Sequence, residues 1–316
     1  MSFALVILGP TASGKSALAL DVARHIDSEI ISLDSALIYK GMDIGSAKPT
    51  KDELLICPHH LIDIISPRDS YNAASFREDC IKLVDAINKR GRLAIIVGGT
   101  MLYYKALVDG LSIVPKSDDI TRKKVLDIAN EKGWPYIHAM LKDIDNDSYK
   151  RLSCNDRQRL SRALEVYLMT GKPISSYFEN KGDKCPFARL EFALMPKNDD
   201  REALRDIIKE RFLKMLDSGF IAEVEDLLDK KLIDKDLPSG RCVGYRQVIE
   251  YLEGTLSYDE MVFRAIVATA HLAKHQMTWL RGALNDGKRV RLTIGDNDNL
   301  AIVLDTLKKY KKAHGI

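Results

Sequence analysis

The chain has 316 residues, 46% of them hydrophobic and 29% charged, which is enough apolar material for a buried core beneath a polar exterior in one large domain or two. Five cysteines (Cys57, Cys80, Cys154, Cys185 and Cys242) stand far apart without a C-x-x-C pair, a pattern of reduced thiols that excludes a disulfide framework. The net charge of +3 is too small to argue for nucleic acid by itself, no apolar run reaches membrane-spanning length, and the absence of a basic stretch or cleavage site behind Met1-Ser2 sets the expectation of a cytoplasmic protein.

The apolar run 3–8 reads as a strand and leads into Gly9-Pro10-Thr11-Ala12-Ser13-Gly14-Lys15-Ser16, with helix-like Ala17-Leu18-Ala19-Leu20 behind it. The spacing G-x-x-x-x-G-K-[ST] between a strand and a helix is that of a Walker A loop. Its glycines let the backbone curl so that successive N–H groups and the helix N-terminus face phosphate oxygens. Lys15 then brings a positive charge to the phosphates and the Ser16 hydroxyl reaches Mg²⁺.

A second strand, 29–33, ends in Asp34-Ser35. Cys57-Pro58-His59-His60 is the one cluster that suggests a metal, but its members are too close together for zinc without a second pair, so loop or packing roles are expected. Residues 74–90 carry apolar side chains at helical period (Phe76, Cys80, Leu83, Val84, Ile87) and stop at Gly91. The continuous apolar run 92–97, ending in Gly98-Gly99-Thr100, reads as a strand buried on both faces of a parallel sheet. Alternating strands and helices predict an α/β fold, a P-loop NTPase-like parallel sheet whose ligand lies beyond the carboxyl ends of the strands. The P-loop, Asp34-Ser35 and Gly98-Gly99-Thr100 are therefore expected to share one crevice.

After about Gly110 the strand pattern gives way to helices, and it returns at 190–195. This predicts a discontinuous core, 1–111 and 189–316, interrupted by an all-helical insertion, 112–188. Within the insertion a helix over 156–170 closes at Gly171 and Pro173. Lys150, Arg151, Arg157, Arg159 and Arg162 accompany a single acid, Asp156, so here the basic character is local. Beyond the insertion, helices are expected over 200–216 and 221–231, and a long one opens on the capping box Ser257-x-x-Glu260 and runs to Arg281. On this last helix Arg264, His271 and His275 share a face away from Ile266, Leu272 and Leu280, either a solvated surface or one that meets phosphate. The lysines among 308–312 read as a frayed terminus.

A P-loop ATPase needs an acid at the end of a buried strand to help hold magnesium, and the strand 93–97 ends in Gly98-Gly99-Thr100 without one. Asp34 fits a group that accepts a proton from a hydroxyl or from an amine, or alternatively a turn cap. A small-molecule kinase remains open on these residues alone.

The P-loop, the run Asp34-Ser35-Ala36-Leu37-Ile38-Tyr39-Lys40-Gly41-Met42-Asp43-Ile44-Gly45-Ser46-Ala47-Lys48-Pro49, then Gly98-Gly99-Thr100, Arg159-Leu160-Ser161-Arg162-Ala163-Leu164-Glu165 and Arg241-Cys242-Val243-Gly244-Tyr245-Arg246-Gln247 together resemble the bacterial tRNA dimethylallyltransferase family, in family order. The resemblance implies transfer of a dimethylallyl group from dimethylallyl diphosphate to the exocyclic amine of adenosine 37 in tRNAs that read codons beginning with U. It implies that the P-loop, with Lys15 and Mg²⁺ at Ser16, holds the diphosphate of the prenyl donor, so no Walker B acid is required. Asp34 matches the family's general base and Thr100 a residue near the reacting groups. Asp34, Ser35, Ala36, Leu37 and Thr100 match positions that meet the target base. Arg122, Gln158, Arg159, Leu160, Ser161 and Arg162, and Arg241, Cys242, Val243, Gly244, Tyr245 and Arg246, match tRNA-contacting stretches. Arg211 resembles a position near the diphosphate, or is an ordinary solvated arginine.

By the same resemblance the insertion grips the anticodon stem-loop of tRNA, and the enzyme is a monomer with no membrane attachment and no obligate protein partner. An adenylate prenyltransferase acting on free AMP is the neighbouring alternative, one that would not need the basic insertion. The chain departs from the family pattern at Leu37, where many members have Gln, and at Ala270 and His275, which replace arginines. It lacks the C-terminal Cys/His zinc module of eukaryotic relatives, which points to a bacterial-type enzyme.

Overall fold

The computed structural model describes residues 2–112, 114–178, 182–282, 284, 287 and 289–315. Its strands are β1 (Phe3–Leu8), β2 (Ser28–Leu33), β3 (His59–His60), β4 (Leu93–Gly98), β5 (Ala188–Met195) and β6 (Val290–Thr293). They form one parallel sheet in the order β3-β2-β4-β1-β5-β6. Every residue of β1 and β4 is buried, as expected of strands covered on both faces. Phe3, Leu5 and Ile7 join Leu93, Ile95 and Val97 in one apolar cluster, and the alternate residues point to the other side. The chain leaves β1 to reach β2 on one side of β4, and leaves β4 to reach β5 on the far side of β1. The carboxyl ends of β1 and β4 are thus the switch point of the sheet.

The helices, in chain order, are α1 (Lys15–His25), α2 (Lys51–Ile56), α3 (Ala73–Lys89), α4 (Met101–Asp109), α5 (Asp119–Lys132), α6 (Trp134–Ile144), α7 (Asn146–Arg151), α8 (Arg157–Thr170), α9 (Arg201–Asp217), α10 (Phe220–Asp229), α11 (Tyr245–Leu252), α12 (Tyr258–Arg281) and α13 (Asn299–His314). The chain divides into two compact units, Met1–Leu107 with Cys185–Ile316, and Val108–Lys184. Each junction lies four residues before the expected one, since the sequence reading set the insertion at 112–188. Among the described residues no helix is long and apolar enough to cross a membrane.

The first unit has two cores. One joins the sheet to α1 and α13 through Leu18, Ala19, Val22, Val303 and Leu307. The other packs Ile38, Tyr39 and Met42 against α9 to α12 through Phe212, Phe220, Val224, Tyr245 and Met261. The terminal lysines are corrected here: Lys308 and Lys309 lie on the exposed face of α13, whose Leu307 is buried and whose Tyr310 stacks on Phe3. The second unit closes α5 to α8 around Val125, Ile137, Leu141, Leu160 and Leu164. Three of its helices, α5, α7 and α8, start on aspartate caps: Asp118 accepts from the Thr121 N–H at 2.6 Å, Asp145 from Ser148 at 2.9 Å and Asp156 from Arg159 at 3.2 Å.

Candidate active site in the P-loop crevice

The turn from β1 into α1 places Gly14 at φ 81°, a left-handed conformation that glycine adopts without a Cβ clash. Ala12 takes φ 63°, at a cost of roughly 1–2 kcal/mol, so the loop holds a shape its sequence only partly favours. Ser13 N–H donates to the Pro10 carbonyl at 3.3 Å and the Lys15 ammonium to the same carbonyl at 3.1 Å. Burial pulls the Lys15 ammonium down to about 8; Arg211 acts in the same direction and Asp34 opposes it. Ser16 is exposed on the first turn of α1, and the Ser13 hydroxyl is buried with no hydrogen-bond partner among the described residues.

Two further strand ends close the site. Gly99 and Thr100, after β4, donate their N–H groups to the Leu33 carbonyl of β2 at 3.2 and 3.1 Å. The Thr100 hydroxyl accepts from the Ser35 N–H at 3.0 Å. Asp34 Oδ1 accepts from the Ala36 N–H at 2.8 Å, and Oδ2 takes no hydrogen bond among the described residues. One carboxylate oxygen is thus tethered while its partner stays available. These groups border a crevice of about 610 Å³ whose lining includes Lys15, Ser16, Asp34, Ser35, Ala36, Leu37 and Thr100. The P-loop, Asp34-Ser35 and Gly98-Gly99-Thr100 do meet there.

Arg211 comes to the crevice from α9, where its Nη1 donates to the Thr11 hydroxyl at 3.3 Å. Burial lowers its pKa from the usual guanidinium range and Asp34 opposes the shift, so Arg211 is no ordinary solvated arginine. Arg241, Cys242, Val243, Gly244 and Tyr245 also line the crevice, whereas Arg246 is exposed and paired with Glu250 at 2.9 Å. Burial, with Asp34 adding to it, pushes the Cys242 thiol up to about 12, which keeps it protonated and unreactive at neutral pH. The long helix α12 contributes Thr269, Leu272, His275 and Trp279 to the lining. The sequence reading set Leu272 away from His275; instead both are exposed toward the crevice, because Ala273, Gln276 and Met277 form the buried stripe.

The second unit carries the remaining candidates. Gln158 and Arg159 are exposed on the first turn of α8, and Arg159 pairs with Asp156 at 3.1 Å. Leu160 is wholly buried and Ser161 nearly so, inside that unit's own core. Arg162 is half-buried: Nη2 donates to the Pro115 carbonyl at 2.6 Å and Nη1 to the Ser117 hydroxyl, which in turn donates to Glu165. Arg122, exposed on α5, pairs with Asp119 at 3.2 Å.

His59 and His60 serve packing. His59 Nδ1 lies 2.9 Å from the Cys57 carbonyl, and His60 Nε2 lies 2.6 Å from Glu29, a buried carboxylate also held by Arg90. Among the described residues no group of three or more His, Cys, Asp or Glu side chains could hold a metal. A hard cation in this crevice would therefore take a hydroxyl such as that of Ser16 together with water and substrate oxygens, the set that Mg²⁺ prefers over an all-protein cage. The exposed Ser16 and the orphaned Ser13 hydroxyl fit a phosphate–Mg²⁺ pair at the helix start.

Two residues at the site were not foreseen. Gln276 of α12 accepts from the Thr11 N–H at 2.8 Å and donates to the Gly99 carbonyl at 2.8 Å. Glu223 of α10 accepts from the N–H groups of Asp43 (3.0 Å), Ile44 (2.7 Å) and Gly45 (3.2 Å) and from the Tyr245 hydroxyl (2.6 Å), which fixes the segment that follows Leu37. Neither residue belongs to a local spacing pattern. The one signal was a polar side chain on a helix at a position its neighbours mark as buried.

A model of the IPP transferase family matches residues 37–283, beginning just after Asp34. The tRNA isopentenylpyrophosphate transferase of Bacillus halodurans has a structure similar to this one, with a TM-score of 0.71 and 29% identity over 100% of both chains. The tRNA delta(2)-isopentenylpyrophosphate transferase of Staphylococcus epidermidis gives a TM-score of 0.69 and 30% identity over 99% of this chain and 100% of its own. A eukaryotic dimethylallyltransferase acting on tRNA gives 0.83 and 25% identity, over 100% of this chain and 80% of its own. These matches include the P-loop and Asp34, which the family model leaves out, and with them the chain is placed in the IPP transferase family.

Proposed function

We propose that this chain transfers a dimethylallyl group from dimethylallyl diphosphate to the exocyclic amine of adenosine 37 in tRNAs that read codons beginning with U, releasing diphosphate. The observation that carries the proposal is the meeting of a P-loop and a half-tethered carboxylate, Asp34, in one crevice. Cleavage of the allylic C–O bond leaves negative charge on the departing diphosphate. The N–H groups of the P-loop, the Lys15 ammonium and Arg211 stabilise that charge as it develops. Mg²⁺, held through Ser16, would supply Lewis-acid stabilisation of the same leaving group.

The adenine amine is conjugated into its ring and is a poor nucleophile, so it must lose a proton as it attacks. Asp34 takes that proton through the oxygen that Ala36 leaves available. Thr100, bonded to Ser35, holds the adjoining turn against the acceptor. Ser35, Ala36, Leu37 and the stretch 241–246 meet the flipped base and its neighbours. The helical unit, through the exposed Arg122, Gln158 and Arg159, holds the anticodon stem by its phosphates, while Leu160, Ser161 and Arg162 shape the helix from within. The reading includes a cytoplasmic, monomeric enzyme.

Mass spectrometry of anticodon-loop nucleosides, after incubation with tRNA, dimethylallyl diphosphate and Mg²⁺, tests the proposal. A gain of one prenyl group on adenosine 37 is the expected result. A gain on free AMP alone, or phosphate transfer from ATP, contradicts it.

A further inference from the structure

The two loops that the reaction must hold in register, the P-loop and the Gly99-Thr100 turn, come from different strands, and among the described residues they are not hydrogen-bonded to each other through their backbones. The Gln276 side chain joins them. Gln276 is 8% exposed, and its amide receives the Thr11 N–H at 2.8 Å on one side and donates to the Gly99 carbonyl at 2.8 Å on the other. The orientation of the amide is forced, since the Thr11 N–H can only donate and the Gly99 carbonyl can only accept. Gly99 is shaped to this contact: a Cβ there would lie 2.4 Å from Gln276 Nε2 and 3.0 Å from the Gly9 carbonyl.

We propose that Gln276 is a positioning residue for the transfer, setting the diphosphate cradle and the loop beside Asp34 at a fixed separation. The inference rests on the prenyl-transfer reading for its reaction, but the contact it describes is a property of the protein itself. From Gln276 the chain of bonds runs in two directions. Through Thr11 it reaches the P-loop and Arg211, whose Nη1 donates to the Thr11 hydroxyl at 3.3 Å. Through Gly99 it reaches Thr100, whose hydroxyl accepts from Ser35 at 3.0 Å, next to Asp34. The hub sits on a rigid element, because Ala273, Met277 and Leu280 bury the adjoining face of α12. In-line attack by an amine on an allylic carbon tolerates little change in the distance between the two partners, and a donor–acceptor amide sets that distance in a way no apolar side chain of the same size can.

The test uses the asymmetry of the amide. Gln276→Glu retains the acceptor for Thr11, but while ionised it turns a second acceptor toward the Gly99 carbonyl. Protonated, the same side chain donates to Gly99 and accepts from Thr11, as glutamine does, and burial raises the pH at which it protonates. Gln276→Met keeps the volume and loses both bonds at every pH. Two readouts are compared with the parent at each pH from 5.5 to 8.5: binding of inorganic diphosphate with Mg²⁺ by calorimetry, and the single-turnover rate of prenyl transfer to tRNA.

The expected result is a loss of about 10- to 100-fold in rate for Gln276→Glu at pH 8, with weaker diphosphate binding, both recovering toward the parent as the pH falls. Gln276→Met should be impaired to a similar degree with no such recovery. Ratios to the parent at each pH cancel the titrations that the variants share with it. Variants within twofold of the parent overturn the proposal, and so does a Gln276→Glu deficit that is the same at all pH values or a Gln276→Glu chain that is unfolded throughout. If the parent transfers no prenyl group to tRNA, the functional reading fails, while the diphosphate-binding arm still decides the positioning role.

Discussion

Arg211 of α9 and Arg162 of α8 are both half-buried arginines on helices, yet they face opposite kinds of surroundings. Arg211 meets the Thr11 hydroxyl of the loop between β1 and α1 and, among the described residues, makes no ion pair with a carboxylate. Arg162 is held inside its own unit by Pro115, Ser117 and, through Ser117, Glu165. A guanidinium whose donors are only partly used retains charge for an incoming anion, whereas one whose donors end on carbonyls and hydroxyls of the same fold acts as a brace. Counting arginines along α8 gives a basic surface; their directions divide it into exposed Arg157 and Arg159 and an inward-facing Arg162. In the proposed reading the crevice keeps its cations for substrate, and the helical unit uses part of its own to hold itself together.

The largest expected effect is on the crevice side. Lys15→Ala should lower the single-turnover rate by roughly 10²–10³ and weaken donor binding as well, since the ammonium meets the diphosphate in the ground state and in the transition state. Rapid-quench kinetics with calorimetry of donor binding checks both parts. A loss of rate with unchanged donor affinity would move Lys15 out of the cradle.

Arg162→Ala should destabilise the protein by about 1–3 kcal/mol, because it leaves the Pro115 carbonyl and the Ser117–Glu165 pair without their donor. Chemical denaturation measures this directly. Arg159→Ala should leave stability within about 0.5 kcal/mol, because its bond to Asp156 joins exposed side chains one turn apart. If the two variants prove equally stable, the inward role of Arg162 is wrong.

Lys15 also makes a pH prediction. Its folded pKa is lowered by burial to about 8, so it is charged below that value and neutral above it in the free protein. A diphosphate binds the charged form, so affinity should be level below pH 8 and fall by up to tenfold per pH unit above it, with proton uptake on binding in the same window. Inorganic diphosphate and calorimetry in buffers of different ionisation enthalpy test this. Lys15→Ala should remove the fall in affinity that the lysine causes and leave only the dependence that comes from ionisation of the diphosphate itself.

The smallest effect expected is on the exposed half of α8, where Arg159→Ala should flatten the slope of log K for tRNA against log salt by at most about one unit. An unchanged slope would make this position a solvated surface like any other.

The crevice was the more legible of the two regions, for a physical reason. A P-loop must be built from residues that permit a left-handed turn and close approach to phosphate, so Gly9, Gly14, Lys15 and Ser16 carry their conformation in their identity. Strands buried on both faces show as unbroken apolar runs, which mark β1 and β4; with β2, a short strand behind the first helix that has Ile30, Ile31 and Leu33 among polar residues, they mark the place where Asp34 and Thr100 meet. Elements too short to show a period escaped: β3 has two residues and β6 four, and each takes its conformation from the neighbouring strand. Gln276 and Glu223 escaped for another reason. Their partners are backbone groups some 180 or more residues away, at Gly99 and Thr11 for one and at Asp43 to Gly45 for the other, and no local pattern encodes such a pairing. The same limit hid the inward turn of Arg162, which reads in sequence like the arginines beside it.

The central claim is that Asp34 takes the proton from the acceptor amine, and the most direct measurement is the single-turnover rate of Asp34→Asn with tRNA and dimethylallyl diphosphate. The substitution keeps the size of the side chain and an oxygen for the Ala36 N–H, but removes its capacity to accept a proton. The account predicts a chemical step slower by roughly 10²–10⁴, with tRNA and diphosphate affinities within a few-fold of the parent. Near-parent turnover in a folded Asp34→Asn protein would contradict it and would assign deprotonation to water or to the departing diphosphate.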